Sequence, residues 1–187
     1  MGNAEATKEK ILEAAMEEFS SYGVAGARVD RIAKKAKCNK NMIYIYFENK
    51  ETLFITVLQN SLKRVYEEIT FTPDDLPEYA VKVFDFAMKN PELFRLMTWY
   101  NLEQNTVNLT ERALVQQKKI TEVMNAQRSG LIGTTFTPGF ILTTIMVLAT
   151  AWTPTNPFGP SYEPNTLKTP IETRDAIYKV INLITKV

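Results

Sequence analysis

Apolar residues recur at spacings of three and four along almost the whole chain, and this periodicity restricts the chain to helical folds. Ile11, Ala15 and Phe19 begin the pattern, and Gly23 ends its first segment. Such spacing places apolar side chains on one face of an α-helix. The sequence has no alternating apolar and polar runs joined by hairpin turns, so it predicts an all-α protein.

Three further helices are predicted between residues 29 and 70. Short helices over 29–36 and after Asn39 are separated by a break at 37–39, and Asn39 is a good amino-terminal cap for the second of them. Asn49 can cap a long helix over about 50–70, which would be roughly 30 Å long at 1.5 Å per residue. The carboxyl-terminal part is also predicted to be helical, near residues 74–89, 91–103, 108–128, 138–152 and 170–186.

Residue pairs that favour helix boundaries punctuate this second part. Ser129-Gly130 is typical of a helix end. Residues 153–169 hold four of the nine prolines and are predicted to be irregular. A potential cap stands before a proline, as at many helix starts, in Asn90-Pro91, Thr137-Pro138 and Thr169-Pro170.

Composition excludes several classes of site. The 187 residues include one cysteine, Cys38, and no histidine, which excludes an internal disulfide and any metal site rich in histidine or cysteine. Without histidine the usual general base at neutral pH is missing, so we expect no catalytic residues and no cofactor. The polar amino terminus does not resemble a signal peptide, and the apolar run over 140–152 is shorter than the ~20 residues of a membrane span, so we expect a cytoplasmic protein.

Positive charge is concentrated in one short segment. The net charge of the whole chain is only +1, but residues 26–50 hold seven basic residues against two acidic ones, a balance of +5. Residues 1–25 have a balance of −3, and the remaining 137 residues carry 13 basic and 14 acidic residues, a balance of −1. Such a segment is typical of a phosphate-facing surface, and a solvated helix face is the alternative.

The basic segment coincides with the two short helices, and together they predict a helix-turn-helix. One short helix must enter the ~12 Å wide major groove while another packs across it, and the small side chains of Ala33 and Ala36 permit that close packing. Lysine can donate to guanine, asparagine can pair with adenine, and methionine can contact a thymine methyl. The exposed face of the third helix offers Lys40, Asn41, Met42 and Tyr44.

The stretches KILEAAMEEFSSYG and VDRIAKKAKCNKNMIYIYFENKETLF, above all IYIYF followed three residues on by Lys50-Glu51, resemble the tetracycline-repressor (TetR) family. The resemblance covers about residues 7–54. It implies a homodimer whose helical carboxyl-terminal domain binds an effector and forms the dimer interface. It also implies that Tyr44, Tyr46 and Lys50 contact the DNA backbone, with Tyr44 near the bases as well.

Two positions depart from the family's pattern. Ala27-Arg28 stands where the family commonly has Thr-Ser or a similar pair, so a hydroxyl cap is lost and the guanidinium of Arg28 becomes a candidate phosphate contact. Lys37 stands where the turn usually contains glycine, and a non-glycine residue in a left-handed turn is unfavourable but tolerable. Cys38 is expected to have a packing role.

Aromatic and methionine side chains in the carboxyl-terminal part either fill a core or line an apolar pocket. The helix over 138–152 is apolar nearly all round, so it needs partners on every side, and with the last helix, 170–187, it is predicted to form a four-helix bundle across a two-fold axis. Ile145 and Ile181 are predicted to lie at that seam. The candidate effector-binding residues are Tyr66, Phe84, Met88, Trp99 and Glu103.

The sequence thus predicts a helix-turn-helix DNA-binding domain over residues 1–52, joined by a long helix to a helical effector-binding and dimerisation domain over 53–187. The predicted function is a transcriptional regulator, a repressor released from a palindromic operator in double-stranded DNA by a small, largely apolar effector. One alternative is a helical protein that binds small molecules or partners without binding DNA. An enzyme is disfavoured because neither a nucleophile–base pair nor a metal cluster is evident.

Overall fold

The computed structural model describes residues 2–103, 110–166 and 168–186. Within these ranges the chain is helical and has no strand, as the periodicity predicts. The helices are α1 Gly2–Gly26, α2 Val29–Ala36, α3 Lys40–Phe47, α4 Lys50–Glu68, α5 Leu76–Lys89, α6 Pro91–Leu102, α7 Thr110–Arg128, α8 Pro138–Thr150, α9 Gly159–Tyr162 and α10 Ile171–Thr185.

The described residues form two compact units. The first unit contains the residues up to Arg64 together with those from Glu92 to Glu103, and the second contains 65–91 and the described residues from 110 onward. Helices α4 and α6 each contribute residues to both units. The sequence analysis predicts that the DNA-binding domain ends at residue 52, and this boundary stays a prediction.

The first unit is built around α1. Ile11 and Phe19 are fully buried on its inner face, and the Phe19 ring meets Phe54 of α4 edge to face, with the ring centroids 5.2 Å apart. The helical path of α1 breaks at Gly23, whose φ of 66° and ψ of −176° lie outside the helical region. A positive φ favours glycine, so the end of the first apolar segment predicted at this residue is confirmed.

In the second unit α5 packs against α8 and α10. Phe84 of α5, Ile145 of α8 and Ile181 of α10 are all fully buried within the protomer. The placement of Ile145 and Ile181 at a dimer seam is therefore wrong. Periodicity identified both helices as apolar on several sides, but it could not decide which side faces the protomer's own core.

The predicted helix boundaries are confirmed at most, though not all, positions. The Thr137 hydroxyl accepts from Phe140 N–H at 3.3 Å and caps α8, and Gly130 takes a φ of 76° just after α7. Asn90, predicted to cap the start of α6, instead donates through Nδ2 to the Phe86 carbonyl at the end of α5. Thr169 does not cap α10 either, because its hydroxyl donates to the Asn165 carbonyl and Pro170 takes the N-cap position.

The predicted irregular stretch over 153–169 contains one short helix, α9, within its described residues. The start of α7 predicted near residue 108 lies outside the described residues. In the part of the chain that the structure describes, no helix combines the length and apolar character needed to cross a membrane.

Candidate nucleic-acid interface

Helices α2 and α3 form the predicted helix-turn-helix. Val29, Ile32, Ala33 and Ala36 are the buried face of α2, as the sequence predicts. The turn passes through Lys37, whose φ of 54° and ψ of 42° are left-handed, and Cys38 N–H donates back to the Ala33 carbonyl at 3.1 Å. This ends α2 as glycine normally does, with a lysine in the strained position.

The cap of α3 is the predicted one, since the Asn39 side chain accepts from Asn41 N–H at 2.9 Å. Ile43 and Phe47 anchor α3 in the core, and Met42 is half-buried. Cys38 is also half-buried, and burial raises the pKa of its thiol, which fits packing rather than thiolate chemistry. The side chains of α3 that are exposed to solvent are Lys40, Asn41, Tyr44 and Ile45.

Ile45 is a residue that the sequence analysis missed. It is 70% exposed and lies beside Tyr44, which is 43% exposed. A β-branched side chain left open on a basic surface has no core to fill, but it can pack against a thymine methyl in the major groove. The helical period could have indicated this exposure. Ile43 and Phe47, four residues apart, share the buried face of α3, so Ile45, two residues from each, lies on another face.

Lys40 forms an ion pair with Asp30, with 2.9 Å between its Nζ and the carboxylate Oδ1. The Lys40 ammonium lowers the pKa of Asp30 by hydrogen bonding and charge, and Asp30 raises the pKa of Lys40 in the same way. Both side chains are exposed, so solvent screens the pair and weakens it. Lys40 can therefore exchange Asp30 for a base edge at little cost.

The predicted phosphate-contacting residues lie at both ends of α2–α3. Lys50, at the start of α4, donates from Nζ to the Ala27 carbonyl at 3.3 Å. Tyr46 is half-buried, and its ring meets Phe47 edge to face. Arg28 is the N-cap residue of α2, and its side chain is exposed and makes no capping hydrogen bond.

The segment from Gly23 to Arg28, here called the α1–α2 turn, is held by charged side chains. Glu18, only 9% exposed, accepts from Arg28 N–H at 2.8 Å and from Arg31 Nε at 2.7 Å. Arg31 also donates to the Gly26 carbonyl at 3.0 Å and lies over the Tyr22 ring, 4.3 Å from its centroid. The backbone between α1 and α2 therefore has partners that do not depend on DNA.

Trp99 of α6 and Glu103, the residue that follows this helix, supply three more hydrogen bonds to the end of α1. Glu103 Oε1 accepts from the N–H groups of Val24, at 2.8 Å, and Ala25, at 3.2 Å, while the Trp99 indole donates to the Ser20 carbonyl at 3.2 Å. A Cβ on Gly23 would lie 2.6 Å from Glu103 Oε1 and 2.8 Å from the Trp99 ring. Residues 99 and 103 therefore fasten the end of α1, a role that no local sequence signal indicated.

The five predicted effector residues are distributed over both units. Trp99 and Glu103 belong to the first unit, where they make the contacts just described. Tyr66, Phe84 and Met88 belong to the second unit. Phe84 is fully buried and meets the Trp152 ring edge to face at 6.1 Å between centroids, whereas Tyr66 and Met88 are half-buried.

Helices α8 and α10 each leave apolar side chains open on the side away from the core. Val147 is 61% exposed and Leu183 is 70% exposed. Other large apolar residues of these helices that are more than two-fifths exposed are Phe140, Met146, Ile171, Tyr178 and Val180. No group of three or more potential metal ligands occurs among the residues that the structure describes.

Two protein families match the chain. The family described as "Bacterial regulatory proteins, tetR family" matches residues 11–57, which contain α2 and α3. The family described as "Tetracyclin repressor-like, C-terminal domain" matches residues 75–182.

Individual proteins agree with these matches. The HTH-type transcriptional repressor SCO4008 of Streptomyces coelicolor is 39% identical over 131 residues, which are 68% of this chain and 68% of that protein. The crystal structure of the putative transcriptional regulator SCO4942 from Streptomyces coelicolor has 31% identity and a TM-score of 0.83, covering 96% of this chain and 98% of that one. The transcriptional regulator FadR from Bacillus subtilis, in complex with stearoyl-CoA, shares the fold at 19% identity and a TM-score of 0.66, covering 96% of this chain and 99% of that one.

Proposed function

The chain belongs to the tetR family of bacterial regulatory proteins and is a DNA-binding transcriptional regulator, and on that premise we propose that it is a homodimeric repressor that a small, largely apolar effector releases from a palindromic operator. Because the related proteins are transcriptional regulators, the expectation that the chain is not an enzyme holds. The rival interpretation, a helical protein that has lost DNA binding, is not favoured. A repressor of this kind acts where the DNA is, in the cytoplasm.

The observation that carries the proposal is the exposed face of α3. Lys40, Asn41 and Tyr44 project from a helix that Ile43 and Phe47 anchor. A buried apolar anchor fixes the orientation of the helix, so its polar face can be read as a set of base contacts. We assign base reading to Lys40, Asn41, Met42 and Tyr44, and phosphate contact to Arg28, Tyr46 and Lys50.

Operator binding of point variants tests this assignment. Lys40→Ala and Asn41→Ala should each weaken operator binding by ~1–3 kcal/mol when the base pair that the residue contacts is present. Each should have little effect on binding to an operator in which that base pair has been changed. Lys50→Ala should weaken binding to all sequences and reduce the slope of log K against log salt by about one. Lys34→Ala, which removes an exposed lysine of α2, is the matched control. If Lys40→Ala weakens every sequence equally and Lys50→Ala is selective, the placement of the recognition helix is wrong.

The homodimer is proposed to form through the open apolar faces of α8 and α10. One helix-turn-helix reads few base pairs, and a two-fold pair reads two half-sites about one helical turn apart. Val147→Asp and Leu183→Asp should each give monomers in light scattering, because they place a charge on a surface that is buried only in the dimer. Leu131→Asp, equally exposed but outside both helices, should leave the dimer intact. A dimer retained by both of the first variants would place the interface elsewhere.

The effector is proposed to bind in the second unit, near the predicted residues Tyr66, Phe84 and Met88. An effector-binding role for Trp99 and Glu103, which belong to the first unit, stays a prediction. FadR is supporting evidence only at the level of fold: a protein of this fold binds stearoyl-CoA, a ligand with a long apolar chain. Stearoyl-CoA and simple fatty acids are therefore the first probes. An effector should weaken operator binding by about 5–150-fold, and the operator should weaken effector binding by the same factor. A compound that binds equally well with and without operator is not an effector.

A further inference from the structure

The second unit contains a half-buried cation, Lys119, that forms no ion pair with any described carboxylate. Lys119 lies on α7, and its Nζ donates to the Tyr79 hydroxyl of α5 at 2.6 Å. The same ammonium is 5.0 Å from the centroid of the Tyr79 ring and 5.3 Å from that of Phe71. Within the described ranges no carboxylate lies within 4.0 Å of it; Glu122 forms its ion pair with Lys118 and acts on Lys119 only through its charge at longer range.

The position of Lys119 on α7 makes this arrangement unusual. Arg112 and Lys119 are half-buried, and Val123 and Ala126, one and two turns farther along the same stripe, are buried. A stripe that packs against a core is normally apolar along its length. Here the amino-terminal half of the stripe carries two cations. Apolar side chains at these two positions would stabilise the packing more.

The energetic balance supports a ligand rather than a structural role. Burial lowers the pKa of Lys119, which means that the folded protein disfavours the charged form. Tyr79 is only 3% exposed, and burial raises the pKa of its hydroxyl to about 12, so it stays neutral and cannot serve as a counter-ion. Aromatic faces and one neutral hydroxyl compensate an ammonium only partly, whereas an anion would compensate it fully.

We infer that Lys119 and Tyr79, flanked by the Phe71 ring, form a binding site for the carboxylate of a small organic acid with an apolar or aromatic body. Lys119 supplies the charge, the Tyr79 hydroxyl supplies a neutral donor, and the rings receive the apolar body. A monocarboxylate matches the single ammonium that lies over the Tyr79 and Phe71 rings, and inorganic phosphate, which Arg112 would also attract, is the competing anion. Tyr66 belongs to the same surroundings: burial raises the pKa of its hydroxyl, the nearby Arg112 lowers it and Glu111 raises it, and Tyr66 in turn contributes to the raised pKa of Tyr79.

This inference rests on the proposed function in one respect: it identifies the effector as an organic acid. The largely apolar effector is thereby given a charged end, and the binding site can be tested without DNA. Calorimetry with the full-length protein should compare benzoate and octanoate with benzamide and octanamide, which keep the body and lose the charge. Inorganic phosphate is a further arm.

The expected result is that the acids bind and that their amides bind at least about tenfold more weakly. Lys119→Met should weaken the acids by about tenfold or more, and Lys118→Met, on the same helix but exposed, should change them by less than about twofold. Without ligand, Lys119→Met should not lower the melting temperature, because it removes a charge that burial disfavours, whereas replacing a structural lysine would lower it.

Three results would overturn the inference: amides that bind as well as the acids, phosphate that binds better than either acid, or equal effects of the two lysine variants. Failure of every acid to bind below a Kd of about 10 mM would overturn it too. Operator release is measured separately. If acids bind through Lys119 without releasing the operator, the binding site stands and the effector proposal fails. If neutral compounds release the operator from the Lys119→Met variant, the effector proposal stands and the role of the Lys119 site fails.

Discussion

Removing the carboxylate of Glu103 should destabilise the first unit, because this side chain holds the α1–α2 turn. Glu103 Oε1 accepts from Val24 N–H at 2.8 Å and from Ala25 N–H at 3.2 Å. The variants that separate charge from hydrogen bonding are Glu103→Ala, which removes the acceptor, and Glu103→Gln, which keeps a neutral one. Asn101→Ala, at an exposed position of α6 two residues earlier, is the control.

The two hydrogen bonds contribute unequally. Val24 is 7% exposed, so its N–H would be left buried without a partner, at a cost of ~2–3 kcal/mol. Ala25 is exposed, and water can replace Glu103 there with little loss. We therefore expect Glu103→Ala to reduce the free energy of unfolding by ~2–3 kcal/mol. Glu103→Gln should reduce it by about 1 kcal/mol, because only the charge assistance is lost.

The two tryptophans provide an assay for each unit, since Trp99 lies in the first and Trp152 in the second. In a Trp152→Phe background, urea unfolding followed by Trp99 fluorescence should show a lower midpoint for Glu103→Ala, by about 1 M at an m-value typical of small domains. Asn101→Ala should match the parent. An unchanged midpoint for Glu103→Ala, or equal losses for the alanine and glutamine variants, would refute the idea that the Val24 hydrogen bond holds the turn.

For three further perturbations the structure predicts whether the protein becomes more or less stable. Gly23→Ala should cost more than ~2 kcal/mol because its Cβ would clash with Glu103 and Trp99, whereas Gly130→Ala, also at positive φ but with open space around it, should cost only about 1 kcal/mol in the same urea assay. Lys37→Gly should stabilise the protein by ~0.5–1 kcal/mol in thermal unfolding, since it relieves a left-handed lysine; a loss of stability would contradict the strain. Burial raises the pKa of Tyr79 from 10 to about 12. The contribution of its neutral hydroxyl to the free energy of unfolding is therefore complete below about pH 10 and is lost as the pH rises towards 12. In urea unfolding, Tyr79→Phe should lose less stability than the parent over that pH range.

Local features were predicted from the sequence, and features that join distant segments were not. The cap at Asn39, the left-handed Lys37 and the buried stripe of α2 each depend on residues within a few positions of one another. The contact between Glu103 and Val24 joins residues 79 apart, so no periodic pattern could indicate it. Ile145 and Ile181 were assigned to the wrong surface for a related reason, because an all-apolar helix does not encode which of its faces meets its own protomer.

Lys119 shows a different limit of sequence reasoning. A lysine on a helix rich in polar residues is normally solvated, and its spacing from Val123 and Ala126 becomes informative only when those two are known to be buried. Its hydroxyl partner, Tyr79, is 40 residues away in the sequence. Helix periodicity could therefore locate α7 but could not identify the charged half of its inner face.

The α1–α2 turn also bears on how Lys50 can act on DNA. Its ammonium has three donors, and the Ala27 carbonyl occupies one of them. The side chain is therefore already positioned in the free protein, with two donors left for a phosphate, and it loses less conformational freedom on binding than an unrestrained lysine. The position of the Ala27 carbonyl depends in turn on the hydrogen bonds that Glu18 and Glu103 accept on either side of it. Two glutamates, neither of which needs to touch DNA, therefore contribute to the affinity for phosphate by holding the backbone to which Lys50 is bonded.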